Sequence, residues 1–315
     1  MSLSKKQQGH LIMLGAMCIF GLNIPVNKFI YAAHALSPMA VTLLRMTFAA
    51  VMFWLVSLFL PKEKVNKKDL LVLLVGGILG MAVNQGCFGY GLSRTTPVDA
   101  GIIATSGPLF AMVISALILK EPITKQKIGG VLVGGIGALI LVYAGMHMVG
   151  TDAGQSSWQG NLTIMFAQLC YATYLVITRP LADKYSAITM MKWMFLFSAI
   201  VMFPLGIKDV VEGPMFNLPD QENYQIALGF ILFGATFIAY MLIPMAQRRI
   251  RPTTIAMYNN LQPLIASVVA IAVGMDRFSV DKVVAALFIF GGVYMVTMSK
   301  SKADVDAKKL EEQGA

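Results

Sequence analysis

Charge is what this 315-residue sequence has least of: Asp, Glu, Lys and Arg make up 13% of it, about half the share of a soluble domain. Acid is scarcer still. All sixteen Asp and Glu residues fall in loops, in the C-terminal tail or at helix ends, and Asp69 and Asp99 come closest to the long apolar runs. The three histidines, His10, His34 and His147, also lie near helix ends. A proton relay through an apolar interior needs a buried carboxylate or imidazole, and a lipophilic cation held there needs a buried acid. Neither is present. The three cysteines, Cys18, Cys87 and Cys170, sit inside apolar runs without CxxC or metal-ligand spacing, which excludes a disulfide framework and a zinc site. There is no GxxxxGK[ST] phosphate loop, no GxGxxG after a strand and no nucleophile–base–acid set at depth. ATP hydrolysis, enzyme chemistry and a bound cofactor are therefore not expected.

What is there is hydrophobic. The chain is 57% apolar, with a mean hydropathy of +0.70, 28 Gly, 22 Met and 18 Phe. Ten segments approach the 20 apolar residues that span a bilayer: roughly 11–31, 38–60, 69–92, 97–119, 126–146, 159–179, 187–207, 224–246, 252–273 and 280–299. Breakers such as Ser37-Pro38, Pro61-Lys62, Thr96-Pro97, Glu121-Pro122 and Arg251-Pro252 separate them. Lys5 and Lys6 before the first run imitate a signal peptide, but the run continues through Asn23, Pro25 and Asn27 with no cleavage site, so it is read as a retained membrane helix. The net charge of +9 resolves into topology rather than nucleic-acid binding. With the N terminus inside, eighteen Lys and Arg fall on the inner side and four on the outer side; Lys28, Arg45 and Lys192 lie within helices and complete the 25. That asymmetry predicts both termini in the cytoplasm and an even helix count; the expected location is the plasma (cell inner) membrane.

The chain also repeats itself. At an offset of 155 residues, Pro97, Pro108, Leu109, Ala111 and Lys127 fall on Pro252, Pro263, Leu264, Ala266 and Lys282. At 151, Gly9, Leu11 and Lys28 fall on Gly160, Leu162 and Arg179; at 149, Ser37 and Phe48 fall on Ser186 and Phe197. Two five-helix units follow, 1–149 and 150–300, with a cytoplasmic tail over 301–315. Five is odd, so the second unit enters from the opposite side. Inverted repeats can exchange conformations, which predicts alternating access around a midplane site.

At these residues the chain resembles the EamA family of the drug/metabolite transporter superfamily. Phe20-Gly21-Leu22-Asn23-Ile24-Pro25-Val26-Asn27-Lys28 is similar to the family's W-G-S-N-F-x-x-x-K, Leu44-Arg45-Met46 to its L-R-F, and Gly107-Pro108-Leu109 followed by Lys120-Glu121-Pro122-Ile123-Thr124 to its P-L and K-E-x-x-T. The second half departs from it: Met275-Asp276-Arg277 replaces Lys-Glu-Pro, and Met194 stands opposite Arg45. The resemblance implies an all-α membrane protein of ten helices in two inverted repeats that transports amino acids or other metabolites.

Polar side chains at membrane depth are candidates for the site. Asn23 and Asn27 share a helix face, with Pro25 between them to free a carbonyl and kink the helix. Asn84 and Gln85 lie on the third helix. Thr105 and Ser106 precede Pro108 on the fourth, and Tyr258, Asn259 and Gln262 precede Pro263 in the matching stretch of the ninth. Gln168, Tyr171 and Tyr174 form a stripe on the sixth, and Tyr240 is on the eighth. Each has a plainer reading as glue between helices. Arg45 needs a carbonyl, an amide or an anionic substrate beside it, and the resemblance points to a structural or gating role, shared with Pro25, Pro108 and Pro263. With no acid in the interior, the expected cargo is a small neutral, zwitterionic or weakly anionic metabolite. An intramembrane enzyme acting on lipid headgroups and a non-transporting sensor or structural protein are the alternatives. The first would call for His, Asp or Glu clusters at the interface. The second would have no use for a polar midplane.

Overall fold

The computed structural model describes residues 4–92, 103–104, 106–146, 158–219, 221–262, 264–265, 268 and 280–300, and every regular element among them is helical. Of the residues singled out above, Thr96, Pro97, Asp99, Thr105, His147, Pro263, Ala266, Met275, Asp276 and Arg277 lie outside this set, as do the side chains of Ile24, Pro25, Lys28 and Lys282. The first repeat comprises α1 (Lys5–Ala32), α2 (Pro38–Ser57), α3 (Lys67–Gly77), a π-helical turn (Ile78–Val83) that runs into α4 (Asn84–Leu92), α5 (Gly107–Ile118) and α6 (Lys125–Met146). The second comprises α7 (Trp158–Lys184), α8 (Ala187–Glu212), a short 3-10 turn (Pro214–Asn217), α9 (Gln221–Leu232), a second π turn (Phe233–Ile238) that runs into α10 (Ala239–Gln247), α11 (Pro252–Tyr258) and α12 (Val280–Met298). Five helical stretches, Pro38–Ser57, Lys67–Gly91, Trp158–Lys184, Ala187–Glu212 and Gln221–Gln247, are long and apolar enough to cross a membrane, and Gly107–Ile118 and Val283–Met298 are shorter apolar helices. Large apolar side chains face outward on several of them, among them Leu117 at 75% and Leu287 at 68% exposure. A surface of that kind is stable against lipid and not against water.

The helices start where local chemistry dictates. Ser4 opens α1 with a reciprocal capping box: its hydroxyl accepts from Gln7 N and its own N–H donates to Gln7 Oε1. Ser37 and Ser186, equivalent positions of the two repeats, cap α2 and α8. Each capping hydroxyl also donates to a carboxylate from the far end of the partner helix. Ser37 Oγ lies 2.5 Å from Asp209 at the end of α8, and Ser186 Oγ lies 3.0 Å from Glu63, just beyond α2. The long α2–α8 seam is thus braced at both ends by the same device used twice. A second seam joins α6 to α12 through glycine: a Cβ on Gly292 would lie 2.5 Å from Gly134 N, so the two backbones touch.

Between the seams, α4 packs on α7 and α10 packs on α1, which are equivalent pairs, and α5 crosses α11. The π turns occupy equivalent registers and are each addressed by a polar side chain from a seam helix. Ser198 of α8 donates to Gly77 O beside the first; Arg45 of α2 donates to Thr236 Oγ1 (2.8 Å) and Ala235 O (3.4 Å) in the second. A π turn changes the helical hydrogen-bond register, and each of these donors reaches a carbonyl in or beside one. The core is rich in buried methionine, including Met17, Met46, Met81, Met194 and Met257, a side chain that tolerates repacking.

Candidate functional site

The site is built from equivalent positions of the two repeats. Gln85 and Tyr240 stand 155 residues apart, two residues beyond the first and second π turns. They meet: Gln85 Nε2 donates to the Tyr240 hydroxyl. Phe20 and Tyr171 stand 151 apart, as do Asn23 and Tyr174. The Tyr240 ring packs edge-on against Phe20 (centroids 5.4 Å apart) and against Phe195 (5.3 Å). Tyr171 and Tyr174 are 5.7 Å apart and lie in one buried cluster with Tyr240. The second repeat therefore supplies three phenols where the first supplies a phenyl ring and two amides. Gly80 of the first π turn makes room for this wall, because a Cβ there would collide with the Tyr174 ring.

The next shell repeats the logic. Gln262 Nε2 lies 3.5 Å from Met17 Sδ and 3.3 Å from Asn259 Oδ1. The equivalents of Met17 and Gln262 are Gln168 and Gly107; there the Gln168 side chain lies over Gly107 and would be 2.9 Å from a Cβ on it. Gln85, Gln168, Tyr171, Tyr174, Tyr240, Asn259 and Gln262 are thus brought together, with Phe20, Met17 and Gly80 as members that a search for polar residues passes over. The repeat register could have found Phe20, as the mate of Tyr171.

Other candidates are placed elsewhere. Asn84 Nδ2 donates to Ala167 O on α7, 2.9 Å away, and ties α4 to α7. Asn27 Nδ2 turns back to Asn23 O within α1, and helix α1 continues unbroken through position 25. Ser106 Oγ bonds Ile103 O in its own turn. Pro108 lies in the first turn of α5, where a missing N–H costs nothing. Asn260, the neighbour of Asn259, lies toward α6, its Nδ2 3.6 Å from where a Cβ on Gly134 would sit. Tyr258 is bonded to His10 Nδ1 at 2.8 Å, near the start of α1. Buried atoms left without a protein partner include Asn23 Oδ1 and the Tyr174 hydroxyl; each is a group that a ligand would satisfy.

Arg45 is buried at 6% exposure, and its partners are neutral: Thr236 Oγ1, Ala235 O and, at 2.6 Å, Gln85 Oε1. Every described carboxylate lies at a helix end or in a loop. The Lys127–Glu121 pair (2.8 Å) is buried where α5 turns into α6, a structural use of the Lys-Glu-Pro segment.

The face that carries the N terminus is densely clasped. Gly9 is so close to α10's end that a Cβ would sit 2.6 Å from Arg249 Cβ. Arg248 donates to Ala182 O and Tyr185 O, Arg251 to the end of α12, and Tyr185 donates to Asp69 at 2.7 Å. The hydrogen bond it makes to Asp69 raises the Tyr185 phenol above its usual range. Burial pushes the Glu63 carboxyl up, but hydrogen bonds from Thr189 and from Ser186 N and Oγ, with the Arg248 charge, outweigh it and hold the group low.

An apolar-surfaced helical chain, duplicated end to end with a polar cage between the copies, is a multi-pass membrane transporter in architecture. The chain belongs to the EamA-like transporter family, whose profile matches residues 7–143 and 158–298, one copy on each repeat. It is 23% identical to the uncharacterized transporter YetK of Bacillus subtilis (strain 168) over 307 residues, 96% of this chain and 91% of the relative. It is 26% identical to the WAT1-related protein At3g53210 of Arabidopsis thaliana over 322 residues, 93% of this chain and 82% of the relative. A solved crystal structure shares the fold at a TM-score of 0.74 with 18% identity, covering 93% of this chain and 99% of the other.

Proposed function

We propose that the protein is a ten-helix carrier of the plasma membrane, with both termini cytoplasmic, that exports small neutral, zwitterionic or weakly anionic metabolites such as amino acids by alternating access. The repeats 1–149 and 150–300 rock against each other, and 301–315 is a cytoplasmic tail. The observation that carries this reading is the Gln85–Tyr240 contact: equivalent residues of the two copies meet, and among the described residues no carboxylate joins them. A site on the pseudo-two-fold axis is one that both halves can open in turn. The clasped N-terminal face is, on this reading, the closed cytoplasmic gate. The α2–α8 and α6–α12 seams are the hinges, and α1, α4, α7 and α10 line the path. Purified protein in liposomes should release a preloaded member of an amino-acid panel with saturable kinetics and leave organic cations behind. Transport of the cations alone, or turnover of a lipid with no flux, contradicts the proposal.

A further inference from the structure

The Arg45–Gln85–Tyr240 chain has a polarity forced by its chemistry. A guanidinium carries N–H donors and no acceptor, so the group 2.6 Å from Arg45 Nη1 is the Gln85 carbonyl oxygen. The Gln85 amide nitrogen is thereby turned toward Tyr240, and the Tyr240 hydroxyl oxygen accepts from it. The proton of that hydroxyl must then point elsewhere, and among the described residues no acceptor takes it. Tyr240 is 3% exposed, its ring is packed edge-on by Phe20 and Phe195, and it lies in one buried cluster with Tyr171 and Tyr174. Among the described residues no carboxylate pairs with the charge at the head of the chain, Arg45. A buried cation polarises the hydrogen bonds strung from it. The other repeat has no such source, because Met194 stands where Arg45 would be.

We propose that Tyr240 is an obligate hydrogen-bond donor to the substrate, set in that role by Arg45 through Gln85, so that the site selects ligands by an anionic oxygen: a carboxylate before its amide. This rests on the reading of the cage as the transport site. One polarised end and one unpolarised end also give a bound zwitterion a single orientation.

The decisive variant is Gln85→Glu. Its new carboxylate pairs with Arg45 and has no N–H for Tyr240, so the Tyr240 hydroxyl turns to donate to it and is lost to the ligand. The full chain is reconstituted in liposomes, and binding of twenty L-amino acids and their carboxamides is read by ligand-induced thermal shift. Wild type should prefer a bound acid over its carboxamide by about 10- to 100-fold. Tyr240→Phe and Gln85→Glu should both reduce that ratio to under about 3-fold, with Gln85→Glu as stable as wild type without ligand. A Gln85→Glu protein that keeps the wild-type ratio overturns the inference. A second readout needs no ligand: the tyrosine Raman difference between wild type and Tyr240→Phe should show an acceptor-only phenol, converted to a donor in the Gln85→Glu background. The opposite sign overturns the inference even if amino acids bind. If no member of the panel binds while the Raman sign is as stated, the amino-acid reading fails and the relay stands.

Discussion

Replacing Gly292 by Ala adds one carbon to the α6–α12 seam at its tightest point. That carbon would lie 2.5 Å from Gly134 N and 2.6 Å from Gly134 Cα and Gly130 O. All three are backbone atoms and none can rotate away. Ordinary contact begins about 1 Å farther out, so the helices must part by roughly that distance and forfeit contacts along the seam. Overpacking of this kind costs about 1–3 kcal/mol, which at roughly 2–4 °C per kcal/mol lowers the Tm by several degrees. The neighbouring Gly291 supplies the control. A Cβ there meets nothing within 4 Å, and exchange of a helical glycine for alanine is then neutral or stabilising by up to about 1 kcal/mol. Thermal unfolding of the detergent-solubilised variants, monitored by intrinsic fluorescence, separates the two. Equal shifts for Gly291→Ala and Gly292→Ala would refute the account of the seam.

Arg45→Ala strands Gln85 Oε1 and Ala235 O in the interior and should destabilise by about 2–5 kcal/mol; Arg45→Lys should recover only part of this, because one ammonium cannot span the three acceptors, and the Tm of both variants checks it. Glu63 has its carboxyl held below the ordinary value of 4.5, so its contribution is fully present above that value and is lost as pH falls through the lowered one; a Tm profile from pH 7 down to about 3 should fall less steeply in Glu63→Gln than in wild type. Asn84→Ala removes the tie to Ala167 O and should lower the Tm by the equivalent of about 1 kcal/mol while leaving the ranking of transported substrates unchanged, as measured by competition in liposomes.

Much of this was legible in the sequence where periodicity and register carry the information. The offsets of 151 and 155 residues make Asn23 the mate of Tyr174 and Gln85 the mate of Tyr240, but equivalence alone does not show that a pair touches, and the Gln85–Tyr240 contact came from the structure. Hydropathy does not show which side of a helix a polar residue faces. Asn84 and Gln85 are adjacent and equally polar, yet one ties α4 to α7 and the other reaches Tyr240, because a one-residue step turns the side chain by about 100°. The π turns are invisible for a related reason: Ile78–Val83 and Phe233–Ile238 read as ordinary apolar helix, and the extra residue in the turn is a property of packing. Lys127 counts as a loop charge in a topology tally, yet it is 1% exposed against Glu121. Charge counting registers sign and side but not pairing. The resemblance to the EamA family identified the class from short segments whose uses then diverge: the Arg45 motif serves the central network, the Lys-Glu-Pro motif a buried turn.

Alternating access is the central claim, and the N-terminal clasp is where it can be tested. In a background with Cys18, Cys87 and Cys170 replaced, Gly9→Cys with Arg249→Cys places two Cβ atoms about 2.6 Å apart, near enough for a disulfide after a shift of about 1 Å. Exchange of labelled amino acid across the liposome membrane is then measured oxidised and reduced. The account predicts exchange that stops on oxidation and returns with reductant, since the clasp must part in every cycle. Full exchange with the disulfide formed would contradict it.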